Sequence, residues 1–263
     1  MAILIDIRYA LRMLIKAPKF TTMTLLVLVG GLSISLFTFS FLYSTVYKEL
    51  PIPEGDTAKA VGIIIDGKYR SISAYEFAQV QKELTHFSEI GVYDNKEIRL
   101  SIEDAGKSLA GSLVREGFFE FSRVSPILGR TINAQDTRAG ATPVAVISHH
   151  VWKNDLNGDD NVLAKTMIIN GQVTEIIGVM PKGYRFPNAS QVWLPLPDST
   201  FDVSPPESES LFLYVRLKPD ANLQQAEKEL GQAINQVYQQ NVALYDMPAR
   251  QKSAKILTFQ MAP

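Results

Sequence analysis

The chain has 263 residues, 46% of them hydrophobic and 20% charged, and its 26 basic residues nearly balance its 27 acidic ones. This composition excludes disordered and collagen-like chains, and the near-neutral charge gives no reason to expect a nucleic acid as a partner. The chain contains no cysteine, which excludes disulfides, cysteine-ligated zinc and thiol catalysis.

The first 19 residues predict a basic amphipathic helix. Apolar residues recur at helical spacing on one face: Ile3, Ile7, Leu11 and Leu14. Basic residues follow on another face and at the end of the segment: Arg8, Arg12, Lys16 and Lys19. A helix of this kind lies in the interface of a membrane. The alternative interpretation is a solvated stub.

Residues 20–47 predict a transmembrane helix. This run of 28 residues carries no charge and lies between Lys19 and Lys48. At roughly 1.5 Å per residue it reaches about 42 Å, more than the ~30 Å hydrocarbon core of a bilayer, which residues 23–43 would cross. A signal peptide has a shorter apolar region of about 7–15 residues, and a helix buried in a soluble domain rarely lacks charge on every face.

The flanks of this helix predict its orientation. The basic residues before it place the N-terminus in the cytoplasm by the positive-inside rule, so residues 48–263 would lie outside. The first 47 residues hold four basic residues and one acidic residue, which leaves 22 basic and 26 acidic residues in the external part. Within the helix, Gly30, Gly31 and Ser35 would let another helix approach closely.

Both ends of the external part predict a β-α-β unit. The first unit consists of the strand Val61–Ile65, a helix that starts at the capping-box residues Ser73 and Glu76, and the strand Ile90–Tyr93. The second consists of the strand Leu211–Leu217, an amphipathic helix from Leu223 to Val237, and the strand Lys255–Phe259. We therefore predict an α+β lobe built from residues 48–95 and 206–263, with two units side by side.

Residues 96–205 predict a β-rich lobe inserted between these units. Its short strands are Ile98–Ile102, Ser108–Val114, Val144–Ile147, Thr166–Ile169 and Val173–Val179. The Asn170-Gly171 pair between the last two strands indicates a hairpin. Short helices are expected at Glu116–Phe121 and Ser148–Leu156, and a proline-rich extended stretch follows. The predicted fold class is thus α+β, with one N-terminal transmembrane helix and a two-lobed extracytoplasmic domain.

Searches of the sequence for catalytic and metal-binding motifs argue against an enzyme. His149 and His150 are adjacent, so their imidazoles point apart on a helix or a strand and do not share a metal. Residues 154–160 are similar to a calcium loop, but the glycine is misplaced and the last glutamate is missing. The sequence contains no nucleophile elbow, phosphate loop or dinucleotide fingerprint. We expect no cofactor, and we expect any energy to come from a partner.

Short sequence motifs occur at intervals through nearly the whole chain. It opens on DIRYALR at 6–12 and PKFT at 18–21, ahead of the apolar run. The external part carries GFFE at 117–120, LGRT at 128–131, PVAVIS at 143–148 with Trp152, ING at 169–171, IGVMP at 177–181, GYRFP at 183–187 and VWLPL at 192–196. Together these motifs resemble MacB/FtsX-type ABC transporter permeases and their MacB-like periplasmic core domain.

The resemblance implies a location and a set of partners. Permeases of this type have one transmembrane helix, a large periplasmic domain and three further helices, and they work as dimers or duplicated chains with cytoplasmic ATPases. The chain would lie in the bacterial inner membrane beside a separate ABC ATPase, a second permease copy or C-terminal permease half, and a periplasmic protein. No second apolar run follows residue 47, so we expect an N-terminal fragment or, alternatively, a split protein.

Two functions are compatible with this resemblance. In the first, the chain is the permease portion of an export-type ABC system, in which ATP hydrolysis tilts the helix and moves the two lobes. The basic residues of the first segment would then transmit force at the cytoplasmic surface: Arg8, Arg12, Lys16 and Lys19. In the alternative, the chain is an FtsX-like signalling scaffold whose periplasmic domain binds and activates an envelope enzyme.

Overall fold

The computed structural model describes residues 12, 15–46, 52–65, 68–102, 105–244 and 252–258. The chain forms two compact units, residues 1–48 and residues 49–263. Each unit is described below by itself.

Among the described residues of the first unit, one long apolar helix, α1, runs from Pro18 to Val46. A proline suits the first helical position because the N–H that it lacks would have no partner there. Large apolar side chains cover all faces of the helix, and residues such as Phe20, Leu28 and Phe37 are more than half exposed. By length and composition α1 can cross a membrane over Pro18–Phe41.

The second unit is built on one continuous sheet with helices on it. Its strands are β1 (Ala58–Ile65), β2 (Lys68–Arg70), β3 (Ile72–Ser73), β4 (Phe87–Ile102), β5 (Ala105–Val114), β6 (Leu128–Gly129), β7 (Val144–Ile147), β8 (Thr166–Ile169), β9 (Gln172–Val179), β10 (Val192–Pro195), β11 (Ser210–Leu217) and β12 (Lys252–Thr258). Its α-helices are α2 (Ala74–Val80), α3 (Phe118–Ser122), α4 (His149–Asp155) and α5 (Leu223–Gln240). Short 3-10 turns lie at Val162–Ala164, Asp198–Phe201, Pro205–Glu207 and Val242–Leu244.

The two β-α-β units interlock rather than lying side by side. The strand order is β12-β1-β11-β4, and each neighbouring pair is antiparallel. Hence β11 of the second unit lies between β1 and β4 of the first. This is the split β-α-β arrangement. The sequence shows which residues form strands but not which strands pair, so the interleaving was not predicted.

Helices α2 and α5 cover one face of this split sheet. Ser73 Oγ accepts a hydrogen bond from the Glu76 N–H at 3.2 Å, and the Glu76 carboxylate accepts one from the Ser73 N–H at 3.1 Å. The predicted capping box is therefore confirmed. Apolar side chains of both helices share one core with strands β1 and β11: Ile63, Phe77, Val80, Leu213, Leu230, Ile234 and Val237.

The β-rich part closes into a six-stranded barrel. Pairing runs from β4 to β5, β10, β7, β9 and β8, and β8 returns to β4 through Leu100↔Ile169. Inward-facing side chains fill the barrel: Ile98, Leu100, Leu109, Ala145, Ile147, Met167, Ile169, Ile176, Val179 and Val192. Closure removes exposed sheet edges, which are sites of unwanted pairing.

The turn at Asn170-Gly171 makes this closure possible. Both residues have positive φ, +52° and +82°, and Ile169 lies opposite Gln172, as in a two-residue hairpin of type I′. The predicted hairpin is confirmed. Asn170 also exchanges two hydrogen bonds with the backbone of Arg99, at 2.8 and 2.9 Å. The turn therefore fastens the β8–β9 hairpin to β4.

An aromatic core fills the face of the split sheet opposite α2 and α5. Its members come from β4, α3, β10, β11 and the 181–187 loop: Tyr93, Phe118, Phe119, Phe121, Tyr184, Phe186, Trp193 and Tyr214. The rings stack or meet edge to face at centroid distances of 5.1 to 6.3 Å. Burial raises the pKa of Tyr214 to about 12, so its hydroxyl stays protonated.

The structure differs most from the sequence-based prediction at β4 and β10. β4 is one strand of 16 residues, whereas the sequence predicted two strands with a lobe boundary at 95/96. β10 lies in the stretch for which only an extended conformation was expected. The strands Val144–Ile147 and Thr166–Ile169 match their predicted bounds. The lobe limits 48–95, 96–205 and 206–263 remain predictions.

A glycine substitution tests how tightly β6 and β9 pack. Gly129 has a φ of +74°, and a Cβ there would lie 2.1 Å from the carbonyl oxygen of Ile177. Gly129→Ala should therefore lower the free energy of unfolding by about 3 kcal/mol, through backbone strain and the clash together. Gly140 has a φ of +80° and open space around it, so Gly140→Ala should cost only about 1 kcal/mol. Urea unfolding of both variants measures the difference, and equal losses would contradict the close approach.

Candidate functional site

α1 carries a patch of small residues. A Cβ added to Gly30 or Gly31 would meet no atom within 4 Å, and Ser35 follows Gly31 by about one turn and is exposed. Within the described part of the chain, no other element covers these positions. The patch therefore has the space for a neighbouring helix, and its role as a packing surface stays a prediction.

Two threonines near the start of α1 form hydrogen bonds inside the helix. Thr21 Oγ1 donates to the carbonyl oxygen of Ala17, and Thr24 Oγ1 donates to that of Phe20, both at 3.0 Å. A hydroxyl without a partner is costly in hydrocarbon. These i−4 bonds therefore lower the cost of placing Thr21 and Thr24 in lipid.

The predicted cytoplasmic residues are described in part. Arg12, Lys16 and Lys19 are helical and exposed, with Lys19 in the first turn of α1. Arg8 lies outside the described residues, as do the apolar positions Ile3, Ile7, Leu11 and Leu14 of the predicted amphipathic helix. The interfacial helix and the coupling role of the four cations thus stay predictions.

In the second unit, Arg216 of β11 holds the segment by which the chain enters the domain. Its guanidinium donates to the carbonyl oxygens of Pro53 and Glu54 at 3.1 and 2.6 Å, and to the hydroxyl of Thr57. It also donates to the carbonyl oxygen of Phe121 at 3.2 Å. The side chain is only 3% exposed. We call Arg216 and these acceptors the arginine anchor.

The charges around the anchor partly compensate one another. Arg216 Nε lies 3.4 Å from Glu89 Oε2, and Arg123 forms ion pairs with both Glu89 and Glu54 at 3.1 and 2.8 Å. Burial lowers the pKa of Arg216, and the positive charge of Arg123 lowers it further, whereas Glu89 and Glu54 raise it. A guanidinium titrates so far above neutral pH that Arg216 remains charged. The anchor is therefore a buried cation held by carbonyl oxygens and two carboxylates.

The anchor was not predicted from the sequence, although one signal was present. The strand 211–217 alternates between two faces, and Arg216 falls on the same face as Phe212 and Tyr214, between Val215 and Leu217. A charge inside such an apolar run indicates a buried ion that needs partners. Its partners lie 95 to 163 residues away along the chain, so the sequence could not identify them.

The residues considered for metal binding have other contacts. Lys107 Nζ lies 2.8 Å from Asp155 Oδ1, and Lys165 Nζ lies 2.6 Å from Asp159 Oδ2, so the 154–160 segment forms ion pairs. Among the residues that the structure describes, no group of three or more histidines, aspartates and glutamates has the arrangement of a metal site.

Comparison with known proteins places this architecture in a family. The family model described as MacB-like periplasmic core domain matches residues 21–233. No curated protein matches the chain by sequence.

Solved structures share the fold at low identity. The extracellular domain of the noncanonic ABC-type transporter YknZ from Gram-positive bacteria is 14% identical, with a TM-score of 0.57 over 76% of this chain and 99% of that chain. The periplasmic region of MacB from Actinobacillus actinomycetemcomitans is also 14% identical, with a TM-score of 0.54 over 75% of this chain and 88% of that chain. The chain therefore belongs to the MacB-like periplasmic core domain family of ABC transporter permeases.

Proposed function

We propose that the chain is the permease portion of an export-type ABC system. ATP hydrolysis by a separate cytoplasmic ATPase would move its periplasmic domain. The observation that supports this most strongly is the arginine anchor, since it fixes the segment that follows α1 in the chain to a central strand of the domain. A displacement of the chain at residues 53–57 would be transmitted to β11 through the three hydrogen bonds that Arg216 donates to Pro53, Glu54 and Thr57.

The proposed location is the bacterial inner membrane, with the N-terminus in the cytoplasm and residues 48–263 in the periplasm. The exposed apolar helix and the basic residues before it support this orientation. Arg8, Arg12, Lys16 and Lys19 would contact the ATPase side of the assembly. A second permease copy, or a C-terminal permease half, would pack against Gly30, Gly31 and Ser35.

We further propose that the periplasmic domain moves as one body. β4 contributes Phe87–Tyr93 to the split sheet and Ile98–Ile102 to the barrel without interruption. A hinge between the two parts would have to break hydrogen bonds in the middle of this strand. This argues against the relative motion of the two lobes that the sequence suggested, and in favour of a rigid rotation.

Charge reversal at the cytoplasmic end tests the coupling. Arg8→Glu combined with Arg12→Glu in the complete transporter should weaken the coupling of ATP hydrolysis to export by about fivefold or more, the lower end of typical coupling energies. Lys16 and Lys19 are kept so that the positive-inside signal persists. The readout is the ratio of export to ATP hydrolysed in reconstituted vesicles.

Two controls make this result interpretable. Lys82→Glu combined with Lys218→Glu reverses two exposed charges of the external domain and should leave the ratio unchanged. Labelling from the periplasmic side reports whether the variant inserts correctly. Unchanged coupling in a correctly inserted Arg8/Arg12 variant would contradict the proposed role. A cell-wall hydrolase that co-purifies with the permease, without substrate-stimulated ATPase activity, would instead favour the signalling scaffold.

A further inference from the structure

A basic cavity of about 560 Å³ lies on the surface of the barrel. Two chain segments line it, 148–154 at the start of α4 and 182–191 before β10. Five of the lining residues have cationic or imidazole side chains: His149, His150, Lys153, Lys182 and Arg185. No aspartate or glutamate lines the cavity. We call the pocket lined by these five residues the basic cavity.

The positive charge of the cavity is opposite in sign to the net charge of the external part of the chain. The external part of the chain carries more acidic than basic residues, so a basic cluster there does not follow from composition. The nearest acidic residues in the sequence are engaged elsewhere, Asp155 with Lys107 and Asp159 with Lys165. Within the described ranges of the chain, Lys153, Lys182 and Arg185 form no ion pair with a carboxylate.

Local contacts hold part of this cluster in place. Lys153 Nζ lies 3.8 Å from the centre of the Trp152 ring, and the His149 ring meets the same indole edge to face at 5.5 Å. Trp152 is itself fixed because its Nε1 donates to the carbonyl oxygen of Asp159 at 2.9 Å. His150 Nδ1 lies 2.9 Å from Asn154 Nδ2. Lys153, His149 and His150 are therefore partly preorganised, which lowers the entropic cost of binding a ligand.

We propose that the basic cavity binds a small anion that carries a phosphate group. Arginine, lysine and imidazole donors that line one cavity without a competing carboxylate suit the oxygens of phosphate. The volume is within the range of small-molecule sites, about 300–1,000 Å³, and would hold a phosphate together with a glycerol or a sugar. Both a free phosphate ester and a phospholipid headgroup have this chemistry. The proposal goes beyond the proposed function and does not depend on it.

Calorimetric titration of the full chain in maltoside micelles tests this proposal. The probes are inorganic phosphate, sn-glycerol 1-phosphate and short-chain phosphatidylglycerol, each at constant ionic strength. We expect binding of at least one probe. Lys182→Gln combined with Arg185→Gln should weaken that binding about tenfold or more, because each lost charged hydrogen bond accounts for about that factor.

A matched variant provides the control. Lys82→Gln combined with Lys218→Gln also removes two exposed positive charges, but outside the cavity, and should leave the affinity unchanged. Because Lys182 and Arg185 are exposed, thermal melting should show that both variants fold like the parent chain. Binding of the glycerol phosphate identifies a soluble ester as the source, and binding of the lipid alone identifies a membrane headgroup. Absence of binding by all three probes, or equal losses in the two variants, would overturn the proposal.

Discussion

Replacing Arg216 by methionine should destabilise the second unit, residues 49–263, by about 3 kcal/mol or more. The substitution keeps an apolar stem of similar length but removes the donors to Pro53, Glu54 and Phe121. Each hydrogen bond from a charged donor contributes about 1.5–3 kcal/mol, and removal of one partner of a buried ion pair costs about 3–5 kcal/mol. Glu89 keeps its ion pair with Arg123 at 3.1 Å through its other carboxylate oxygen, so we expect the lower part of the combined range. Urea unfolding followed by circular dichroism measures the loss.

Arg123→Met is the matched control for the anchor. Arg123 forms ion pairs with the same two glutamates, but its side chain is 38% exposed, so its loss should cost at most about 1 kcal/mol. If the two variants lose equal stability, the energy resides in the glutamate pairs rather than in the carbonyl oxygens that Arg216 binds. That result would contradict the account of the anchor as the fixed entry of the chain.

Replacing Trp193 by alanine should lower the free energy of unfolding by about 3–5 kcal/mol, the usual cost of replacing a buried aromatic side chain by alanine. The indole is fully buried and packs against Phe119 and Tyr184 at centroid distances of 6.1 and 5.3 Å. Its Nε1 donates to the carbonyl oxygen of Phe186 at 2.9 Å. The side chain therefore contributes both packing and the partner of a buried carbonyl.

Trp193→Phe separates the two contributions. Phenylalanine keeps most of the ring volume but leaves the carbonyl oxygen of Phe186 without its donor, which should cost about 1–3 kcal/mol. The same unfolding measurement applies, and Trp152 remains as the intrinsic fluorophore. A loss in Trp193→Ala no greater than that in Trp193→Phe would contradict the central place of this ring in the aromatic core.

The elements that could be predicted from the sequence are those set by nearby residues. The capping box of Ser73 and Glu76 spans three residues, and the hairpin at Asn170-Gly171 depends on two residues that tolerate positive φ. The amphipathic spacing of α5 is likewise local. Leu223 is the exception, since it lies at the first position of the helix and is 41% exposed. The capping box, the hairpin turn and the helical spacing can each be recognised without knowing which strands pair.

The features that could not be predicted depend on contacts between residues that lie far apart in the sequence. Residues 94–97 are polar or charged, as is typical of a loop, yet β4 continues through them because β5 pairs with residues 93–102. Closure of the barrel requires Leu100 to meet Ile169, 69 positions later. The anchor and the basic cavity are assembled in the same way, from segments that only the folded sheet brings together.

The most direct test of the proposed function is the distance between the proposed periplasmic domains of two permease copies in an assembled transporter, measured in two nucleotide states. The chain has no native cysteine, so Lys82→Cys places one spin label on each permease copy, and pulsed electron resonance measures their separation. With the partner ATPase present, we predict that ATP binding changes this separation. The distance from Lys82→Cys to Arg138→Cys within one copy, diluted with unlabelled chains, should stay constant. A separation between copies that is identical with and without ATP would contradict the proposal that the ATPase moves this domain.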